Sequence, residues 1–443
     1  MRHLSALREL RVFTLLWVGQ LISGLGSSLS GFAFGVWVFQ KTGSATLFAV
    51  TTFAYVLPFA LLAPLVGVLV DRWDRRWTMF GADVGQVCIT MVIIMLLFRG
   101  QLAIWHVYIA NVAGAILGSF HGAAYGASIV LLVPKQHLTR AAGLGQINNA
   151  VCRLVAPLLA GFLVSVIKLE GVVFIDLFTF LIAITTYLLL PIPRPTDTNE
   201  HQQGKGAFWQ EMRFGWQYLL ARPGLLGLVL MFALLNFFVA AASILTVPMV
   251  LSFAKPDAVG MVLAAGATGL LASGSLMSTW VGPKRRMEGA LGLLTLGGFG
   301  LILAGWQPMI ALIAAGRFLS TLAFAGSGAL ATVIEQRKVA PEVQGRVFGV
   351  EGMIALFFEA LAYPIGGFFA DHIFEPLMTS RGRLALILEQ GIGMGPGRGM
   401  GAMNILMGVC AVALALLGYL HPRIRCVEHE LPDARADNIT QVK

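Results

Sequence analysis

Long apolar runs, interrupted at intervals by proline, glycine or a charged residue, dominate the chain. A helical membrane crossing takes about 20 mostly apolar residues. Runs of that size predict helices over 12–39, 46–70, 78–98, 104–133, 141–167, 171–191, 225–251, 258–282, 288–305, 308–335, 347–373 and 402–421. The pattern predicts an all-α membrane protein of about twelve spans. The first run is too long for a signal-peptide core and has no small-residue cleavage site behind it, so it is expected to remain as a span. The longest polar interruption, 192–224, divides six runs from six. It predicts an N-terminal six-helix bundle (1–191), a linker (192–224) and a C-terminal six-helix bundle with a short tail (225–443). Within the linker, Phe208, Met212, Trp216 and Leu219 recur at helical spacing, predicting a short amphipathic helix at the membrane surface.

Composition supports the membrane assignment. Of 443 residues, 57% are hydrophobic and 12% charged, whereas an average soluble domain is about 25% charged. The net charge of +9 falls in short loops between apolar runs, which points away from nucleic acid and toward a topology signal. With both termini in the cytoplasm, the inside segments hold 22 Lys and Arg and the outside segments seven. That bias predicts an N-in, C-in orientation. Cys88, Cys152, Cys410 and Cys426 show neither a disulfide framework nor metal-ligand spacing.

The two halves share a pattern. A proline-containing polar loop leads to Arg140 or Arg346 at the mouth of a helix. Pro157 or Pro364 follows, then the small pairs Ala160-Gly161 or Gly366-Gly367. Parallel six-span repeats place a substrate site between the halves in one large class of transporters.

The loop after the second run places Gly67, Asp71, Arg72, Arg75 and Arg76 in the order G-x-x-x-D-R-x-x-R-R. This resembles motif A of the major facilitator superfamily. The glycine permits close helix packing, the aspartate offers an anion to a helix N-terminus, and the arginines form a cluster that can pair differently in two conformations. The second half keeps Gly274 and Lys284-Arg285-Arg286, with Ser278 where the aspartate would stand. Span five, with Gly143, Cys152, Ala156-Pro157 and Ala160-Gly161, resembles the small-residue motif C of the antiporter branch. Gly143, Pro157 and Gly161 would then serve packing in an antiporter helix. Trp17–Gln20, Lys41–Ala45, Gly81–Asp83, Leu132–Pro134, Leu138–Ala141, Ile175–Asp176, Gly345–Phe348 and Gly366–Asp371 resemble the bacterial macrolide-efflux and enterobactin-exporter branch from about residue 10 to 425. The resemblance implies a major facilitator fold in a bacterial cytoplasmic (inner) membrane, and a proton-driven exporter.

Ionisable groups within spans are costly, by roughly 2.5–3.5 kcal/mol on insertion scales, and so are candidates for function or pairing. Arg153 and Glu359 sit at equivalent depths in the two repeats, 13 residues beyond Arg140 and Arg346. Glu359 is the candidate proton carrier, with a static ion pair as the alternative. Asp83 and Asp176 look shallow. Asp83 could pair with the Arg72–Arg76 cluster as a gate, and Asp176 could be a paired interface residue. Arg317 could meet a substrate anion or Glu359, and Glu335 and Glu351 could be gate charges. Because spans one, four, seven and ten line the cavity in the superfamily, the resemblance implies Gln20, Ser27, Asn111, His121, Tyr125 and Asn236 as cavity residues. Imidazole titrates near neutrality, though a single membrane histidine often serves as a neutral hydrogen-bonding group.

No G-x-x-x-x-G-K-[ST] sequence occurs, and the glycine-rich stretch 391–401 follows no βαβ unit, so no nucleotide site is expected. The 374–401 segment is expected to be a flexible external loop. The expected protein is not an enzyme. It needs no cofactor beyond a proton gradient, binds no nucleic acid, and works as a monomer in the bilayer on a small amphipathic molecule. An importer or facilitator of the same fold is the main alternative, and a membrane sensor or enzyme the remote one.

Overall fold

The computed structural model describes residues 2–70, 73–133, 141, 144–145, 147–148, 151–190, 205–279, 283, 285–340, 343–379, 393 and 395–430. Among these residues there is no strand. The helices are α1 (Arg2–Thr42), α2 (Ala45–Val70), α3 (Arg75–Phe98), α4 (Ile104–Leu132), α5 (Ala156–Leu189), α6 (Lys205–Leu220), α7 (Pro223–Leu251), α8 (Pro256–Thr279), α9 (Arg286–Trp306), α10 (Ile310–Lys338), α11 (Gln344–Phe369) and α12 (Arg398–Leu420). Two short tail helices follow, α13 (Pro422–Arg425) and α14 (Val427–Glu430). Eleven of the described helices are long and apolar enough to cross a membrane.

One of the eleven contains two crossings. Within α5, Lys168 has φ 57° and ψ −172°, a left-handed φ that a residue with a side chain adopts at a cost of roughly 1–2 kcal/mol. The chain reverses there. Before the reversal, Trp17 Nε1 donates to Leu144 O at 2.9 Å and Gly24 faces Cys152, so both helices ascend together. After it, Gly19 faces Thr186 and Gly26 faces Thr179, so the order inverts. The long helix α5 therefore holds two antiparallel legs, at the break between the fifth and sixth apolar runs.

Contacts divide the chain into two compact units: Met1–Asp197 with Ala254–Met261, and Thr198–Phe253 with Val262–Lys443. In the first, α2 and α4 are joined by polar side chains reaching backbone carbonyls: Tyr108 Oη to Leu47 O (3.1 Å) and Asn111 Nδ2 to Thr51 O (2.9 Å). Gln86 Nε2 likewise links α3 to Gly114 O of α4 at 3.1 Å. The start of α3 is capped by Asp74, whose Oδ1 accepts from the N–H groups of Arg76 (3.0 Å) and Trp77 (3.4 Å). Arg75 donates to Ala127 O (2.9 Å) and Arg76 to Leu188 O (3.0 Å), placing cations on carbonyls near the ends of α4 and α5, where helix dipoles favour them. Asp74→Ala should destabilise the first unit by about 1 kcal/mol, the usual worth of an N-cap. Thermal unfolding in detergent checks this.

The second unit is built on glycine seams. Gly300 of α9 and Gly316 of α10 face each other: a Cβ on Gly316 would lie 2.5 Å from Ala304 N and 2.6 Å from Gly300 O. Gly298 and Gly305 on α9 meet Gly408 and Gly401 on α12 in the same manner. Without a hydrophobic drive between helices in lipid, such close backbone contact supplies the packing.

Helix α6 is the helix expected within the linker, and one face of it packs on the bundle. It docks on α11, because Gly215 brings its backbone to Arg346 O, 2.7 Å from where a Cβ would stand. Leu219 is fully buried among Leu225, Val229, Val339, Val347 and Val350. Residues 395–401 also depart from a flexible loop. Glu375 accepts the N–H groups of Gly397 (2.6 Å) and Gly399 (3.0 Å) at the start of α12. Arg398 is buried and donates to Gly305 O (2.8 Å) and Trp306 O (3.0 Å), at the end of α9. Residues 380–392 lie outside the described set.

The tail closes the same unit at its other end. Val427 is fully buried beside Met287 and Ile334. Glu428 Oε2 accepts the Met287 N–H at 3.1 Å, its Oε1 lies 3.6 Å from Arg286, and its carbonyl accepts from Lys338 Nζ at 2.6 Å. The residue in the N-cap position of α9, Arg285, makes no side-chain cap. Glu428 thus meets the second amide of α9, as Asp74 meets the second amide of α3.

Candidate functional site

A cavity of about 540 Å³ lies within the first unit, bounded by α1, α2, α3, α4 and α5. It is unusually polar for the interior of a helix bundle. Gln20, Ser27, Thr51, Asp83, Asn111, His121, Tyr125 and Asp176 all line it; among the described residues no Lys or Arg does. Its polar positions are spread over five helices, so no single stretch of sequence announces it.

The centre of the wall is a four-residue network. His121 Nδ1 lies 2.8 Å from Asp83 Oδ1. Tyr187 Oη donates to Asp83 Oδ2 at 2.9 Å and itself accepts from Gln20 Nε2. His121 Nε2 is 3.4 Å from the same tyrosine oxygen. Asp83 is only 1% exposed. A carboxylate so placed is tolerated because donors hold both its oxygens. The imidazole bridges this carboxylate and the Tyr187 hydroxyl at the cavity wall. Tyr125 packs edge-on to His121 with ring centroids 6.5 Å apart. Its buried hydroxyl has no partner among the described residues, leaving a donor and acceptor available to a bound molecule or water.

A second carboxyl stands on the same cavity. Asp176 is 6% exposed and accepts from Ser27 Oγ at 3.3 Å. Both aspartates, Asp83 and Asp176, thus sit buried in the cavity wall. Asp83 turns to His121 and Tyr187 rather than to the basic cluster, since Arg75 and Arg76 are occupied with carbonyls of α4 and α5. Nothing in the sequence marks Tyr187; a tyrosine near the end of an apolar run suggests an interfacial aromatic.

The other candidates are dispersed. Glu359 accepts from Tyr363 Oη one turn on, at 2.7 Å. Arg317 donates to Ser243 Oγ at 3.2 Å, and its Nε has no partner among the described residues; no ion pair with Glu359 forms. Asn236 is exposed on α7. Pro157 opens α5 and Gly161 follows in its first turns, with Ala156 and Ala160 fully buried. Asp71, Arg72 and Gly143 lie outside the described residues. So do the surroundings of Gly67 and the side chain of Arg153, although both backbones are helical.

Comparison with known proteins agrees with this architecture. The family model described as Major Facilitator Superfamily matches residues 16–363. Macrolide efflux protein A of Streptococcus pyogenes is 30% identical over 378 residues, covering 82% of this chain and 90% of that one. Its counterpart in Enterococcus faecalis is 30% identical over 333 residues, covering 73% and 99%. Among solved structures, a bacterial homologue of the human lysosomal transporter Spinster superposes with a TM-score of 0.66 at 15% identity, covering 92% and 96%. A bacterial homologue of the iron transporter ferroportin gives 0.66 at 14%, covering 92% and 98%.

Proposed function

Because the chain belongs to the Major Facilitator Superfamily, a family of transporters rather than enzymes, we propose that it exports an amphipathic small molecule of the macrolide or related natural-product class by proton antiport. The observation that carries the proposal is the Asp83–His121–Tyr187 network on the wall of a cavity that also holds Asp176. The two carboxyls of the cavity wall, Asp83 and Asp176, favour a cationic amphipath. The same carboxyls attract protons. Protons arriving from outside then displace the cargo, and cargo arriving from the cytoplasm displaces protons, which is the exchange an antiporter needs. A potential of 100 mV adds roughly 2.3 kcal/mol for each charge moved. The kinship with macrolide efflux proteins of two bacteria supports the cargo class.

The orientation belongs to the same proposal. The excess of Lys and Arg in one set of loops, 22 against seven, supports a reading with both termini on the cytoplasmic side of a bacterial inner membrane.

Inverted membrane vesicles with an acidic lumen should accumulate a radiolabelled macrolide, and a protonophore should release it. Uptake into whole cells with no accumulation in such vesicles would instead identify an importer.

A further inference from the structure

Among the described residues, Asp176 of the first unit has no Lys, Arg or His for a partner. It is 6% exposed. Asp83, by contrast, has its two oxygens held by His121 and Tyr187. An ionised carboxyl removed from water is costly unless a countercharge accompanies it. Around Asp176 the chain supplies oxygens instead. Ser23, Ser27 and Ser30 follow one another at spacings of four and three residues, which puts them on a single face of α1. All three line the cavity with Asp176.

Two further observations point to a ligand at this spot. Ser30 is 2% exposed, yet its Oγ has no hydrogen-bond partner among the described residues. A buried hydroxyl in that state leaves its lone pairs unused. Ser27 Oγ stands 3.3 Å from Asp176 Oδ1, longer than the roughly 2.7–2.8 Å of a usual O–H···O bond. Two oxygens that hold one calcium-sized ion at about 2.4 Å, at right angles to each other, stand about 3.4 Å apart. The approach of α1 to α5 is fixed here. Gly26 abuts the side chain of Thr179 with no room for a Cβ, and Thr179 Oγ1 donates to the Asp176 carbonyl at 2.8 Å.

The donor set selects the ion. Oxygen donors suit hard cations, whereas imidazole and thiolate suit transition metals. Among the described residues, no group of three His, Cys, Asp or Glu could hold a metal. A single carboxylate balances one positive charge rather than two. Sodium has the size of calcium and half its charge. We propose that Asp176, Ser27 and Ser30 form a sodium-binding site in the first unit, open to the cavity and separate from the Asp83–His121 network. The ion enters from the cavity, takes the carboxylate and the two hydroxyl oxygens as ligands, and keeps water in its remaining positions. This site stands whether or not efflux is driven by protons.

Binding of radioactive sodium to the purified full-length protein in lipid nanodiscs tests the site, with empty nanodiscs as background. The wild type should bind about one ion per chain, the single charge that the carboxylate balances. Unlabelled sodium chloride should displace it, and potassium chloride roughly tenfold less well, because the larger ion fits the same oxygens poorly. Asp176→Asn should abolish the binding. Ser30→Ala, a smaller change that keeps the carboxylate, should weaken it several-fold. Asp83→Asn should retain it. Absence of saturable binding to the wild type overturns the proposal, and so does binding undiminished in both Asp176→Asn and Ser30→Ala. Sodium bound as expected in a protein whose macrolide efflux ignores the pH gradient upholds the site and defeats the antiport instead.

Discussion

Asp83→Asn is expected to reduce efflux driven by a pH gradient to the rate measured with the gradient collapsed, while the amount of protein in the membrane stays near that of the wild type. The substitution keeps size and shape and removes one ionisable group. Asparagine can still accept from Tyr187, yet it gives His121 no anion to pair with. The imidazole then faces a neutral amide in a largely enclosed cavity, and the wall loses one of its two carboxyls. Hydrogen bonds to charged groups contribute about 1.5–3 kcal/mol each, so some loss of stability is expected as well, and protein levels must be measured alongside transport. Tyr187→Phe separates the two effects. It removes one donor to Asp83 and the acceptor of Gln20 while leaving the carboxylate and imidazole in place. Efflux in that variant should weaken but stay gradient-dependent. Gradient-driven efflux undiminished in Asp83→Asn would remove Asp83 from the coupling machinery.

The largest structural effect is expected at Gly316. A side chain there would collide with backbone atoms of α9, at 2.5 Å from Ala304 N and 2.6 Å from Gly300 O. Overpacking in a core costs about 1–3 kcal/mol when neighbouring side chains can give way. Here the neighbours are main chain, so Gly316→Val must push two helices apart and should exceed that range. The facing change, Gly300→Val, collides with Ser320 N at 2.6 Å and Gly316 O at 2.9 Å and should cost a similar amount. Because either variant separates the same two helices, the double variant should lose less than the sum of the singles. Thermal unfolding of the three proteins in one detergent gives the comparison. Singles within about 1 kcal/mol of wild type would show that α9 and α10 tolerate a wider spacing.

The spans were legible from sequence because hydropathy depends on local composition, and lipid imposes the same demand on every crossing. Even the reversal at Lys168 shows as the break between the fifth and sixth apolar runs. What stayed hidden was partnership across the bundle. Asp83 and Tyr187 are 104 residues apart, and neither has a local pattern that points to the other. The gate pairing expected of Asp83 accordingly missed His121 and Tyr187. Helical spacing marked Met212, Trp216 and Leu219 but not which surface they would cover; Leu219 is fully buried while Trp216 remains 40% exposed. Glycine abundance suggested close packing without distinguishing Gly316, which abuts a backbone, from Gly292, which has open space where a Cβ would stand.

The carboxylate that meets the start of α9 belongs to Glu428, 141 residues downstream of Met287. Asp74 serves α3 from the adjacent position. The two halves therefore mature on different schedules during synthesis. Helix α3 can be completed as soon as its own first turn leaves the ribosome. Helix α9 enters the bilayer with its leading amides open and waits through the insertion of three more helices. A nascent chain stopped anywhere between Met287 and Glu428 exposes that unfinished end on the membrane surface.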